Sequence, residues 1–270
     1  MSFDTLPRGI YIQLFLDAFR GDRRAKLSTF VRGPVPRMSV VAGVVCHDFP
    51  RRRSLPGFSA DPVARATQMT ETIRESLGPM GKMAGLAYGL DGATDGDSTK
   101  MTAVEKGERM GLAAAASNAD LVLPNAETQW DSDQGPDDDM DESGAIAMGK
   151  AYRARAPKTV TIDQPWPMPD QHGENRKQVR PIDQGGSFAG FPIDEFASWV
   201  DGRAPQVYWA NRYRVWGSEA YRKVVAWSER EWNTIETGMR RLDPKLVLPR
   251  TATLQGYGHD AYPWTLADYL

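Results

Sequence analysis

The residues able to do chemistry in this chain gather where apolar runs stop. Residues 119–124 are almost wholly apolar after Asp120, and the run then gives way to Asn125 and Glu127, with Trp130 close behind. Residues two apart on a strand project from the same face, so Asn125 and Glu127 are expected to share one pocket. Other runs end in the same manner. Residues 9–17 close on Asp17, the run at 38–46 leads to His47 and Asp48, and residues 83–91 close on Asp91. Residues 158–163 close on Asp163, and residues 206–210 carry Tyr208 and lead to Asn211. Carboxylates converging on one mouth repel one another, which raises some pKa values and lets one carboxyl keep its proton near neutrality. Breaking a glycosidic bond needs such a general acid, with a second group that attacks or stabilises the anomeric carbon. Glu127 is the candidate general acid. Asp17, Asn125 and Asp163 complete the candidate catalytic set. The bland alternative for each acid is a solvated loop anchor or a helix cap.

Flat apolar rings pack against the C–H faces of sugars. Trp130, Trp166 and Trp209 each stand within a few residues of an expected strand end, and Tyr208 and Tyr257 join them. Together with Asp91 they form the candidate substrate-binding set. Trp199, Trp227 and Trp232 fall on helical patterns and are expected to pack strands against helices.

For these groups to meet, the runs must be parallel strands whose ends face one way. The chain alternates strand-like and helix-like segments, which predicts parallel pairing with right-handed crossovers. Strands are expected at 9–17, 38–46, 83–91, 119–127, 158–163, 206–210 and 246–254. Helices are expected at 63–77, 102–117, 144–154, 191–200 and 217–241. Asp61 before Pro62 is a helix start signal, and Gly78-Pro79 a stop. The spacing predicts an α/β fold, a (β/α)8 TIM-type barrel whose eighth strand is irregular or missing, residues 25–31 being a weak candidate for it. The polar loop at 164–190 is long enough to be functional or disordered. There is no internal repeat or linker, so residues 1–270 are read as one domain.

Composition narrows the classes further. Of 270 residues, 41% are hydrophobic and 25% charged, with a net charge of −2, so a chain able to bury a sizeable core carries no global basic field for nucleic acid. Arg51-Arg52-Arg53 is expected to be a solvated loop. The single cysteine, Cys46, excludes an intrachain disulfide framework and a Cys-based zinc site. His47, His172 and His259 are too scattered for a zinc site of their own. No apolar run reaches membrane-spanning length, and the opening Met-Ser-Phe-Asp-Thr shows no secretory pattern. The expectation is a soluble protein of cytoplasmic synthesis, released by lysis or carried in a virion. No cofactor is expected, since Gly85 and Gly89 lack the phosphate-binding fingerprint. Asp131, Asp133, Asp137, Asp139 and Glu142 follow calcium-loop spacing, but Pro136 stands where such a loop needs glycine; a solvated lid is the preferred reading.

Residues 83–89, residues 119–127 and residues 205–210 resemble the third, fourth and sixth strands of the glycoside hydrolase family 25 lysozymes and related glycoside-hydrolase-like barrels. The layout extends over residues 9–255, while the motif likeness covers about thirty residues. The resemblance implies cleavage of peptidoglycan-type glycan, with Glu127 matching the family's proton donor and Asp17 its first-strand acid. Asn125 departs from the pattern, since the family has an acid there. An amide cannot be a carboxylate nucleophile, although it can hold a substrate acetamido group that assists the reaction. The alternative is a catalytically inert glycan-binding module or a structural subunit of a phage tail or other larger assembly. A third reading is a metal-dependent hydrolase using Asp17, His47, Asp48 and Asp163.

Overall fold

The structure, a computed structural model, describes residues 10–14, 38–46, 56–78, 83–89, 101–126, 141–165, 192–207, 220–250 and 253–254. Six parallel strands form one sheet in chain order: β1 (Ile10–Leu14), β2 (Met38–Cys46), β3 (Met83–Gly89), β4 (Leu121–Ala126), β5 (Val160–Pro165) and β6 (Gly202–Arg203). Beyond Ala204 and Pro205, β7 (Gln206–Val207) pairs in parallel with β8 (Thr253–Leu254), and Arg203 bridges in parallel to Arg250. Pro205 has no N–H to give to a ladder, so β6 and β7 are two pieces of one interrupted strand. That strand passes the sheet from β5 to β8, and β8 lies beside β1. The ring thus returns to its start after seven strand positions. The expected α/β barrel of TIM type is present, and an eighth strand is not found among the described residues.

Five helices accompany the strands: α1 (Pro62–Leu77), α2 (Ala103–Ser117), α3 (Glu142–Arg155), the short α4 (Ile193–Ala197) and α5 (Ala220–Leu242). Their starts follow from local chemistry. The Asp61 carboxylate accepts from the Ala64 N–H at 2.8 Å, with Pro62 in the first turn. Thr102 and Glu105 form a reciprocal capping box, and Asp141 accepts from the Gly144 N–H at 2.8 Å. Each satisfies N–H groups that a helix start leaves unpaired. The hydrogen bonds given by Gly144 and Ser143 hold the Asp141 carboxyl below its ordinary range. Of the strand expected at 246–254, only Thr253–Leu254 is strand among the described residues, and Pro244–Leu246 is a 3-10 turn capped by Asp243.

Acids also organise the opposite ends of the strands. Asp120, just before β4, accepts from the Ala84 N–H at 2.8 Å and gives its own N–H to the Ala84 carbonyl. Asp201, just before β6, treats Thr161 in the same way and adds a 2.9 Å ion pair to Arg153. These two carboxylates set strand register and belong to the fold.

Side chains separate into two cores. Val45, Ala84, Leu86, Tyr88 and Val122 pack outward against Met69, Ile73, Met110, Met148 and Trp232 of the helices. Val40, Ala42, Ala87, Leu121, Leu123, Val160, Ile162 and Ala204 make a second cluster to which no helix contributes. That cluster is the barrel interior. Register aligns its positions in level rows. Ala42, Gly85, Leu121 and Val160 form one, Val44, Ala87 and Leu123 the next with Ile162 beside them, and Cys46, Gly89, Asn125 and Gln164 the third.

Outside the sheet, α2 and α3 approach closely because α2 presents glycines. A Cβ at Gly107 would collide with the Met148 carbonyl, and one at Gly111 would press on Arg155 and the Tyr152 carbonyl. Overpacking of this kind costs about 1–3 kcal/mol. Gly107→Ala is therefore expected to lower the denaturant midpoint by a corresponding amount. A midpoint equal to that of the parent protein would show that the helices have room to separate.

Candidate functional site

The third interior row is where the barrel changes character. Two rows of apolar positions lie beneath it, and then β4 offers Asn125 and β5 offers Gln164, in the same alternation phase as Leu123 and Ile162. Asn125 is half-buried and Gln164 fully buried. They stand opposite one another across the β4–β5 ladder, and Gly89, which has no side chain, flanks Asn125 on β3. The row lies at the C-terminal end of the strands, the face on which barrels of this type build their sites. Each amide supplies two N–H donors and a carbonyl acceptor without charge, and neither is left without a partner. Gln164 lies on β5, one residue past the strand end expected at Asp163 and inside the loop expected at 164–190. The signal was present in the phase of Val160, Ile162 and Gln164.

Asp163 is placed differently from expectation. Strand β5 continues to Pro165, so Asp163 falls in the opposite phase and faces the helix layer, fully buried. Its carboxylate accepts from Arg203 Nε at 3.2 and 3.1 Å, and Arg203 Nη2 lies 3.1 Å from Oδ2. Arg203 also donates to the Ile193 carbonyl at 3.1 Å, and its guanidinium sits 5.6 Å from the Trp232 ring centroid. Burial pushes the Asp163 carboxyl above its ordinary value, and the guanidinium opposes that. The pair ties β5, β6, α4 and α5 together on the outer side of the barrel. Asp163 is thus an outer-face structural acid, buried and paired with Arg203.

The remaining candidates, Glu127, Asp17, Asp91, Trp130, Trp166, Tyr208, Trp209 and Tyr257, lie outside the described residues, as do His47 and Asp48. So do residues 131–140 of the acidic run; Glu142 is exposed in the first turn of α3. Trp199 and Trp232 are buried as packing residues. The Trp199 ring lies 5.3 Å from Phe196 and 5.7 Å from Tyr152 between centroids. Two further acids were not singled out by sequence. Asp194 and Glu195, in the first turn of α4, are half-buried, and that burial pushes both carboxyls up. In sequence they look like an ordinary helix start, and only packing distinguishes them.

Removing one partner of a buried ion pair strands the other charge, at a cost of about 3–5 kcal/mol. Asp163→Ala is expected to lose stability on that scale in chemical denaturation. A loss below about 1 kcal/mol would mean that Arg203 finds a second anion and that the pair is not what joins these four elements.

No protein family matches the sequence, and neither does any curated protein. Solved structures do. The chain is similar to catalytic-site mutants of active domain 2 of the thermostable chitinase from Pyrococcus furiosus, complexed with chito-oligosaccharides, at TM-score 0.51 and 12% identity, covering 92% of this chain and 72% of that one. A GH18 chitinase from Pseudoalteromonas aurantia is similar at TM-score 0.49 and 13% identity, with 92% and 94% covered. The endo-beta-1,4-mannanase from Thermotoga petrophila is similar at TM-score 0.45 and 10% identity, with 96% and 71% covered. The likeness to the Pyrococcus domain is one of fold, and the fold it establishes is the α/β barrel described above.

Proposed function

We propose that this chain is a glycoside hydrolase acting on a polysaccharide, a single barrel domain over residues 1–270 with Glu127 as its general acid. The observation that supports this most is the polar third row of the barrel interior. Glu127 lies two positions beyond Asn125, in the phase of Leu121, Leu123 and Asn125. Asp91 stands an even number of positions beyond Ala87, Trp166 beyond Ile162, and Tyr208 beyond Ala204, all residues of the interior cluster. By sequence count alone, two acids and two aromatic residues share the parity of the interior positions, which supports reading them as site residues. The same counting puts Trp209 in the other phase.

With Asp163 turned away, β4 and β5 give the mouth amides in place of a second carboxylate beside Glu127. A neutral amide at Asn125 suits a substrate carrying its own nucleophile, a sugar whose acetamido group Asn125 holds. Peptidoglycan-type glycan and chitin oligosaccharides both qualify, and the Pyrococcus domain is described in complex with chito-oligosaccharides. Asp17 keeps the role that resemblance to the family 25 lysozymes gives it, as an acid of the first strand. Trp130 and Tyr257 complete the proposed sugar-binding set.

One observation favours a second reading. Asn125 is neutral where the resembled family has an acid, which also suits a glycan-binding or structural subunit without turnover. No helix among the described residues is long and apolar enough to cross a membrane, and either reading is compatible with that.

A positioned general acid contributes about 10²–10⁴-fold to rate. Glu127→Gln is expected to lower kcat within that range on N-acetylglucosamine oligosaccharides or purified peptidoglycan, with the unfolding midpoint unchanged. Equal turnover by the two proteins removes Glu127 from the role. Saturable binding with no product from the parent protein selects the inert module.

A further inference from the structure

We infer that the first turn of α4 is an acid-seated clasp at the edge of the barrel mouth: with Asp194 and Glu195 protonated it rests against the start of α3, and their ionisation loosens it. The clasp works in the same way whether or not the chain cleaves glycan. α3 follows β4 and α4 follows β5, so both helices start toward the C-terminal ends of the strands, the face that carries the mouth. α4 has five residues, and no side chain caps its start at Pro192. A helix of that length has little stability of its own, so its seat depends on what surrounds it. Its far end is well held. Phe196 is buried, Trp199 packs on Tyr152 and fills the space over Gly149, and Arg153 donates to the Trp199 carbonyl at 2.8 Å. At its near end, among the described residues, one polar contact comes from outside the helix, from Arg203 to the Ile193 carbonyl at 3.1 Å.

The charges around that near end are unbalanced. Asp194 and Glu195 are half-buried, and Asp194 Oδ1 is enclosed with no hydrogen-bond partner. A buried polar atom left unpaired is costly, and more so when it carries charge. From α3, Glu142 brings a third carboxylate to both acids. From β6, Arg203 is the cation that acts on Asp194 among the described residues. That guanidinium is already committed, because its donors go to Asp163 of β5, the Ile193 carbonyl and the Met239 sulfur. α5 meets Arg203 with Met239 and Trp232, neither of them charged. Three carboxylates thus share a corner with one guanidinium that a fourth neutralises. Burial is the largest cause lifting the Asp194 and Glu195 carboxyls; Arg203 opposes it at Asp194, and Glu142 adds to it at both. A carboxyl raised by folding stabilises the folded form fully below its ordinary value, 3.8 for Asp194 and 4.5 for Glu195. That contribution is lost as pH rises through the raised value, so the turn seats best in acid.

Hydrogen exchange on the full chain tests this. The amides to follow are those of Phe196, Trp199 and Val200, which are hydrogen-bonded within this segment, with rates corrected for the intrinsic pH dependence of exchange. In the parent protein their protection is expected to fall about threefold or more between pH values of about 5 and about 7.5. In an Asp194→Asn, Glu195→Gln double variant, whose neutral amides stand in for the protonated acids, protection is expected to stay level over the same range. The Arg65 amide, bonded to the Asp61 carbonyl on α1, reports opening away from this corner and is expected to stay level in both proteins. An equal fall at α4 in parent and variant overturns the clasp. So does a fall at Arg65 that matches the one at α4, because the whole molecule would then be responding. If the double variant does not fold, the carboxyl carbon resonance of Asp194 in the parent protein decides. Titration above the ordinary carboxylate range supports the clasp, and titration within it overturns it.

Discussion

Everything in this barrel depends on alternation in a parallel sheet that is covered on both faces. Each strand residue is committed either to the interior or to the helix layer, and register carries that commitment from strand to strand. The interior residues of β2 to β5 align in level rows. One position along a strand therefore separates a group at the mouth from one sealed beneath helices. Asp163 and Gln164 are adjacent in sequence and end in these two environments, the first in an ion pair with Arg203 and the second beside Asn125.

The outer layer serves the inner one. Arg203 reaches a carboxylate on β5, a carbonyl at the start of α4 and the ring of Trp232 on α5. One guanidinium thus holds the strand that contributes Gln164 at the point where β6 is short and Pro205 interrupts pairing. The glycines of α2 let α3 come close, and α3 in turn sends Arg153 to the Trp199 carbonyl and to Asp201 at the foot of β6. These contacts fix strand position, and the mouth takes its shape from the strands.

Carboxylates in this chain do three physically different jobs. Asp120 and Asp201 accept backbone N–H groups where strands begin, and Asp61 and Asp141 do so where helices begin. Asp163 neutralises a buried cation. Asp194 and Glu195, half-buried in the first turn of α4, belong to none of these groups. A count of acids at the edges of apolar runs does not separate these jobs, because an acid suits each edge for its own electrostatic reason.

By itself, the sequence determined the alternating strand and helix order, the span of β2, the helix start at Asp61 and the burial of Trp232. These follow from local propensity, capping chemistry and periodicity, which act over a few residues. It also held the phase that joins Asn125 to Leu121 and Leu123. Tertiary structure alone decided that β5 continues to Pro165 and that Arg203 would be the partner of Asp163. The segment around Arg203 is short, broken by proline and without periodicity, and its partner lies 40 residues earlier in the chain. Such a pairing becomes visible only when register brings the two strands together, because the energy of a buried charge depends on what surrounds it in space and not on its neighbours in sequence.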